Sequence, residues 1–542
     1  MPSPRSRLLV VAAAGVLVAT AVAVLAARQA PSATVTGVPK AVSVSSGTTT
    51  ESTKLGADGV QANWVIQENA LPGTSDWRIT GAPADGFIEG FADQTYASTG
   101  QPVRLFVSTS AASFQVEAYR IGYYGGTGAR LVWASPSFDG HAQPKCPLTT
   151  GVNMVSCDNW SVSMTMQVTQ DFPQGDYLIK LIGADDEQSY VPLTVWVPAS
   201  NATYLVKNDV FTWQAWNPYG GYDYYQGVGR CPAGVYPACS RSRVVSYDRP
   251  YADGRGAGDF LSVEAPLVRF LEQHGLDVAY VTDATVQDHP SVLTGHSALL
   301  SLGHDECWTF AERTAITAAN DAGLNLAFFG ASAVLRHVRT QPSPLGVDRE
   351  LVDYRDATED PLNGKGNPRE VTGNTWASPP ANWPSTALVG EEYNGFLEPG
   401  VHAAMTVVDP SAWIFDGSGV HDGMALPDVI ASDVDSLEPG LAHPATVQVL
   451  AHSALPVKQA QAASSAGTTF YSDMTYYTDP KTEAGTWDSG TNNWIPALAD
   501  CHGASCKALA TMTTNLLWLF GQGPAGRLRP SVANWRTYYP GH

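Results

Sequence analysis

The hydrophobic rhythm of the chain changes near residue 200, and this change constrains the fold more than any other feature of its 542 residues. Before it, short apolar or alternating runs are separated by clusters of Gly, Pro and Asp, a pattern typical of a β-sandwich. After it, strand-like runs alternate with helix-like runs, which favours right-handed crossovers and a mainly parallel sheet. We therefore predict a β-sandwich over 59–199 and an α/β domain over 200–542.

Individual elements follow from the same patterns. The strands expected in the first region are 102–109, 114–121, 161–169, 175–182 and 190–197. In the second region, helical spacing over 262–274 ends at Gly275, a residue that favours helix termination. The other elements expected there are strands at 276–281, 298–302, 324–329, 445–451 and 468–471, and helices at 309–322 and 505–520.

The N-terminal sequence has the pattern of an export signal. Arg5 and Arg7 precede an uninterrupted apolar run over 8–27, which is long enough to span a bilayer. Residues 1–27 therefore predict either a cleaved signal peptide or an N-terminal membrane anchor, and residues 28–58 a flexible spacer. We expect the protein to be secreted or anchored to the extracellular face of the membrane.

Seven cysteines agree with an exported location. Six of them lie in close pairs, which makes local pairing the simplest arrangement, although the sequence leaves other pairings open. The expected disulfides are Cys146–Cys157, Cys231–Cys239 and Cys501–Cys506. Cys307 remains as a free thiol, either a buried apolar residue or a reactive one.

The charge balance limits the partners. With 31 basic and 51 acidic side chains, the formal net charge is −20. We expect no nucleic-acid partner, because no basic surface is available to neutralise phosphates. A small molecule or a component of the cell envelope is the expected partner.

The segment LLSLGHDECW (299–308) is the strongest candidate site, since ligands bind at the carboxyl ends of parallel strands. His304 suits acid–base chemistry or ligand binding. Asp305 and Glu306 either belong to the same catalytic site or cap the following helix. A helix N-terminus would activate Cys307 as a nucleophile, whereas the neighbouring carboxylates would raise its pKa. These alternatives remain open.

A second candidate is the aromatic segment FTWQAWNPYGGYDYY (211–225). Its rings either wall a ligand cleft or pack at the junction of the two domains. The residues proposed to line a cleft are Trp213, Trp216, Asn217, Tyr219 and Tyr222.

Six segments, taken in order, resemble the large (beta) subunit of N,N-dimethylformamidase and its exported relatives. They are EAYRIGYYGGTGARLV (117–132), TWQAWNPYGGYDYY (212–225), VVSYDRPY (244–251), EAPLVRFLEQHGLDVAYVTD (264–283), LLSLGHDECW (299–308) and AGLNLAFFGASAVLRHVR (322–339). The resemblance covers roughly residues 60–410. It implies a β-sandwich followed by an α/β domain resembling class I glutamine amidotransferases.

The same resemblance implies hydrolysis of a small formamide at a mononuclear iron held by two tyrosines and a glutamate. At the matching positions this chain carries Ala265, Cys307 and Ser385. Alanine has no donor atom, serine is a poor ligand and a lone thiolate prefers softer metals. We therefore expect no iron cofactor, unless ligands such as Glu264, Glu391 or Glu392 replace the missing ones.

Two functions follow from these expectations, and whether the chain is an enzyme stays open. The first is a degenerate family member that binds a ligand without iron chemistry. The alternative is an active hydrolase of C–N amide bonds that uses Cys307 and His304, or a re-ligated metal.

Overall fold

A computed structural model describes residues 34–35, 52–80, 86–229, 240–455, 460–462, 470–499 and 503–542. The predicted signal or anchor and three of the paired cysteines (Cys231, Cys239 and Cys501) lie outside these residues. Among the described helices, none is both long and apolar enough to cross a membrane.

Two sheets share one hydrophobic core in the N-terminal part of the chain. Val103, Leu105 and Val107 lie in this core, whereas Phe106 packs against Phe91 on the opposite face of its sheet. This alternation is the physical origin of the period-two sequence pattern. The strands of the first sheet, in order across it, are Thr34–Val35, Met164–Gln167, Pro102–Thr109 and Ile88–Ala92. Those of the second sheet are Tyr96–Ala97, Gln188–Val195, Gly175–Gly183, Ser113–Ile121 and Ala129–Ala134, and Phe138–Asp139 also pairs with Ser113–Ile121.

A seven-stranded sheet forms the centre of the second part. Its strands, in chain order, are β1 (Tyr204–Asn208), β2 (Val278–Thr282), β3 (Ala298–Ser301), β4 (Asn325–Phe328), β5 (Gln448–Leu455), β6 (Phe470–Thr478) and β7 (Gly485–Asp488). Their order across the sheet is β2-β1-β3-β4-β7-β6-β5. The first five strands of this order are parallel, and β6 and β5 continue the sheet in antiparallel pairing.

The α-helices are α1 (Asn63–Asn69), α2 (Val210–Trp216), α3 (Ala265–Gln273), α4 (Asp283–Asp288), α5 (Phe310–Asn320), α6 (Trp494–Ala499) and α7 (Gly503–Phe520). Helix α3 begins three residues later than predicted, because Phe260–Glu264 form a wider π-type turn before it. Thr309 caps α5 by accepting a hydrogen bond from the backbone of Glu312 (3.3 Å), so the interpretation of Asp305 and Glu306 as caps is wrong.

The remaining strands form smaller sheets around this core. Their bounds are Thr53–Leu55 with Val60–Ala62; Leu148–Thr149 with Met154–Val155; Val244–Ser246, Gly346–Val352, Arg336–Ser343 and Cys307–Thr309; Asp433–Ser436, Glu392–Leu397 and Ala460–Ala462; and His402–Thr406 with Ala425–Ala431.

The cysteines agree with the sequence analysis where they are described. The Cys146–Cys157 disulfide is confirmed, and Cys307 is free and buried. Cys506 is disulfide-bonded, while its expected partner lies outside the described residues.

Candidate functional site

The segments after β1 and β3 leave the sheet at the point where the strand order reverses. Strand β1 has β2, the next strand in the chain, on one side and β3 on the other side. A crevice is expected at such a point in a parallel sheet. Gly330, just after β4, allows the neighbouring loop to approach closely, since a Cβ there would clash with the carbonyl oxygen of Gly303. This close packing fixes the loop that carries His304.

His304 lines a cleft of about 360 Å³ at this edge. Its Nε2 atom lies 3.3 Å from Oδ2 of Asp433 and 3.5 Å from Oε2 of Glu306. Asn492, from the loop after β7, lines the same cleft. The volume is within the range of small-molecule sites, and an imidazole between two carboxylates can accept or donate a proton.

Hydrogen bonds to the carboxylate of Glu306 hold the His304 loop in place. Its carboxylate accepts hydrogen bonds from Nε1 of Trp216 (2.9 Å), from the hydroxyl of Tyr225 and from Nε of Arg336 (3.1 Å). Burial raises the pKa of Glu306, but His304 and Arg336 more than offset this, so the pKa is lowered overall. Glu306 therefore remains an anion that orients its neighbours.

Other acidic side chains make the cleft electronegative. Asp253, Asp259, Glu264 and Asp433 all line it. Burial raises the pKa of Asp433, with His304 opposing, and burial raises the pKa of Glu264 well above its usual range. Glu264 accepts a hydrogen bond from Nε1 of Trp213 (2.5 Å) and has its other oxygen buried without a partner. A raised pKa keeps Glu264 protonated at neutral pH, so the negative charge of the cleft comes from Asp253, Asp259 and Asp433, and it favours ligands that bring positive charge or hydrogen-bond donors.

A buried ion cluster lies directly behind the cleft. Nζ of Lys207, in β1, lies 2.8 Å from Asp305, 3.3 Å from Glu312 and 3.5 Å from Asp209, and it also contacts Asp283. Carboxylate oxygens of Asp209, Asp283 and Asp305 lie within 4.8 Å of one another, in a geometry that would suit a metal ion. The ammonium group of Lys207 supplies the positive charge in this cluster. Asp305 thus faces the protein interior.

Cys307 is fully buried next to the His304 loop. Its backbone N–H and that of Glu306 both donate to Oγ1 of Thr212, at 3.1 and 3.0 Å. Burial, followed by the charges of Glu306 and Asp353, raises the pKa of the Cys307 thiol well above its usual value. A protonated, inaccessible thiol is a poor nucleophile.

The aromatic segment is divided among different places. Trp213 and Trp216 line the His304 cleft, and Trp216 stacks on Tyr225 with ring centroids 3.6 Å apart. Tyr219 and Tyr222 instead line a separate cavity of about 640 Å³, where the Tyr219 hydroxyl donates to Glu89 (2.9 Å). The sequence analysis placed these rings around one cleft, whereas the structure divides them between two cavities, and their role in ligand binding stays a prediction.

Asn217, between those two sets of rings, is buried and fully engaged. Its amide nitrogen donates to Gln214 and to the carbonyl of Pro250, both at 2.9 Å. Its oxygen accepts from the backbone of Tyr219 (3.2 Å) and Ala252 (3.0 Å). These bonds hold the turn that separates the cleft from the second cavity.

The three positions matched to the family's iron ligands do not offer an iron site. Ala265 starts α3 and has no donor atom, and the Cys307 thiol has a raised pKa. The hydroxyl of Ser385 donates to Oε2 of Glu392 (2.6 Å). A single thiol and an engaged hydroxyl do not fit an iron that prefers phenolate and carboxylate oxygens.

The glutamates that could have replaced these ligands lie in different surroundings. Glu264 bonds to Trp213, whereas Glu392 accepts from the backbone and hydroxyl of Ser385. Glu391 is buried, and its pKa is raised first by burial and then by Asp488 and Asp473. The three carboxylates do not form a common ligand set.

Several site residues were missed by sequence reasoning. Asp433 and Asn492 reach the cleft from segments far along the chain, and Arg336 joins Tyr225, the last residue of the aromatic segment, at Glu306. Lys207 carried one usable signal, a lysine inside an otherwise apolar strand, because a buried lysine requires acidic partners.

Fold and cleft together define a protein with a mainly parallel sheet whose carboxyl edge carries an acid-lined cleft of small-molecule size. The comparisons then give the family. The model of the N,N-dimethylformamidase beta subunit-like family, C-terminal region, matches residues 115–507, and the chain belongs to this family.

Other comparisons add little. No curated protein matches the chain. Among solved structures, a Paenibacillus sp. cycloisomaltooligosaccharide glucanotransferase complexed with cycloisomaltoheptaose is similar at 8% identity and a TM-score of 0.15. The match covers 52% of this chain and 35% of that one, and a score this low carries no argument about fold or function.

Proposed function

We propose that this protein is an exported binding member of its family, which holds a small cationic or donor-rich molecule in the His304 cleft without iron-dependent amide hydrolysis. The observation that carries the proposal is the convergence of Asp253, Asp259 and Asp433 with His304 on one cleft whose other walls include Trp213 and Trp216. Carboxylates attract positive charge, and aromatic faces add cation–π attraction.

The outer tryptophan is available for this contact. Trp216 is 37% exposed, and its ring lies 5.6 Å from that of His304. Tyr225 covers one face of the ring and Glu306 engages the indole N–H, so a ligand would meet the other face, on the side of His304. A quaternary ammonium group is the chemistry that such a combination of ring and carboxylates recognises best.

The absence of iron catalysis rests on the donor set. Ala265 and Cys307 stand where the family resemblance places tyrosines, and neither supplies a phenolate. Metal analysis of the purified protein should give far less than one iron per chain. Stoichiometric iron would overturn this part of the proposal.

Calorimetric titration of the purified protein with tetramethylammonium tests the binding. Asp433→Asn keeps the shape of the side chain and an oxygen that can accept from Ser332 (2.7 Å in the wild type). We expect this variant to weaken binding by about tenfold, because it removes a carboxylate from the cleft. Asp422→Asn, at an exposed position, is the matched control. Equal affinities for the two variants would contradict the proposed site.

A second function has one observation in its favour. The contacts of His304 with Asp433 (3.3 Å) and Glu306 (3.5 Å) suit a general base that activates water for C–N bond hydrolysis. Because the Cys307 thiol is buried, this alternative operates through His304 and water. It predicts amidase activity on formamide that His304→Gln abolishes. Activity unchanged in that variant would exclude His304 as the base.

A further inference from the structure

A further cavity, of about 420 Å³, lies beside α5, and its lining residues differ completely from those of the His304 cleft. Phe310 and Thr314 come from the helix, and Trp376, Asn382 and Trp383 from the loop after the Arg336–Ser343 and Gly346–Val352 hairpin. Its volume is in the range of small-molecule sites.

Three aromatic rings form the walls. The rings of Trp376 and Trp383 are almost perpendicular, with centroids 5.8 Å apart. Phe310 lies 6.4 Å from Trp376 and 6.1 Å from Trp383. His337 adds a fourth ring, stacked on Trp376 at 4.0 Å. Such walls favour a flat, apolar ligand body that can stack or meet ring edges.

His337 contributes a neutral ring. It is buried, and neither ring nitrogen makes a hydrogen bond of normal geometry. Burial, followed by the charges of Arg313 and Arg339, lowers the pKa of His337 to about 3, against the opposing effects of Asp360 and the Val371 backbone. The ring therefore adds surface but no charge at neutral pH.

Two arginines beside the cavity give it a positive electrostatic potential. Cζ of Arg313 lies 4.5 Å from the centroid of Trp376 and 4.2 Å from that of Trp383. Its Nη2 donates to the carbonyl of Pro384 (2.7 Å), while Nε and Nη1 are buried without partners. Arg369 is exposed over Phe310 at 5.0 Å. Of the described residues that line the cavity, none carries a carboxylate.

We propose that this cavity binds a small planar anion of the aromatic carboxylate class, with its ring between the aromatic walls and its carboxylate near Arg369. Guanidinium groups match carboxylates in geometry, and Thr314 and Asn382 supply further hydrogen-bonding groups at the same cavity. The chain carries a formal net charge of −20, yet Arg369 is the charged residue in the lining of this cavity, and Arg313 lies behind its tryptophans. The nearest acids act from outside the lining: Asp360 on His337 and Glu392 on Arg313.

The test uses benzoate as the probe, with calorimetry and tryptophan fluorescence at low ionic strength. We expect saturable binding at concentrations up to about 10 mM and at least about tenfold weaker binding of benzyl alcohol, which keeps the ring but lacks the charge. No benzoate binding in this range would overturn the proposal. Equal binding of both probes would overturn its electrostatic part.

Variants locate the site. Arg369→Gln should weaken benzoate binding by about fivefold, since it removes an exposed charge at the cavity. Arg536→Gln is the matched control, because Arg536 is also exposed and also stacks on a ring, that of Trp535 at 4.3 Å. Trp383→Phe, which keeps an aromatic wall, should retain part of the affinity. Equal affinities for Arg369→Gln and Arg536→Gln would place any benzoate site elsewhere.

Discussion

Lys207→Met removes the ammonium group from a cluster of four buried carboxylates. The distances from Nζ are 2.8 Å to Asp305, 3.3 Å to Glu312 and 3.5 Å to Asp209, and the contact with Asp283 is closer still. All five side chains are essentially inaccessible to water. Removing one partner of a buried ion pair costs about 3–5 kcal/mol, because the remaining charge has no compensation. We expect a loss of this size in the free energy of unfolding, a large share of a typical domain's stability.

Acidification should partly restore the variant. Burial raises the pKa of Asp283 to about 6, although Lys207 lowers it. A carboxyl group with a raised folded-state pKa stabilises the fold below its unfolded pKa, and this contribution is lost as the pH rises through the folded pKa. Without Lys207 the carboxyl pKa values rise further, so protonation relieves the buried charge. The cost of Lys207→Met should therefore be smaller at about pH 5 than at about pH 7.

Chemical denaturation at both pH values, followed by tryptophan fluorescence, measures this cost. Lys365→Met, at an exposed position, is the matched control and should change stability by less than about 0.5 kcal/mol. Adding Asp283→Asn to Lys207→Met should recover part of the loss, and the double-mutant cycle gives the coupling between the two side chains. The reasoning fails if Lys207→Met is as stable as Lys365→Met, or if its cost does not depend on pH.

Two further predictions concern buried groups. Because the pKa of His337 is lowered from 6.5 to about 3, the wild type should lose about 2 kcal/mol more stability than His337→Phe between about pH 7 and pH 5. The sign follows because the folded state binds fewer protons than the unfolded state in this window, and denaturation curves at the two pH values check it. Cys307 should resist iodoacetamide in the native protein and react only in denaturant. Peptide mass spectrometry showing native-state alkylation of Cys307 would contradict its burial.

The sequence predicted elements best where one face is buried. The strand at 102–109 matches Pro102–Thr109 because alternate side chains enter the core. Helix α2 was missed because six of its seven residues are buried, which leaves no amphipathic periodicity. Strand β1 was missed because Lys207 and Asn208 interrupt its apolar pattern, and three of the four acids around Lys207 lie far along the chain.

Only the part of the candidate site that directly follows β3 has a signal in the local sequence. The end of an apolar strand followed by polar residues predicted a site at this loop, and His304 does line a cleft, while its function stays a prediction. Asp433 and Asn492 could not be found, because the folded chain brings them there from segments whose own patterns carry no signal. The roles of the four consecutive residues 304–307 also separate only in the structure: His304 lines the cleft, Asp305 pairs with Lys207, Glu306 accepts from Trp216 and Arg336, and Cys307 is buried. The predicted resemblance to class I glutamine amidotransferases stays a prediction.

The His304 cleft and the cavity beside α5 have opposite electrostatic character, and this bears on both proposals. A formal net charge of −20 attracts cations to the whole surface, so an acid-lined cleft needs little further selectivity to concentrate a positive ligand. An anion meets repulsion from the same field, and Arg313 and Arg369 must outweigh it locally. Salt screens the long-range field within about 10 Å at 0.1 M but affects buried contacts much less. Added salt should therefore weaken cation binding at the His304 cleft more steeply than benzoate binding beside α5, because only the cation gains from the field of the whole protein.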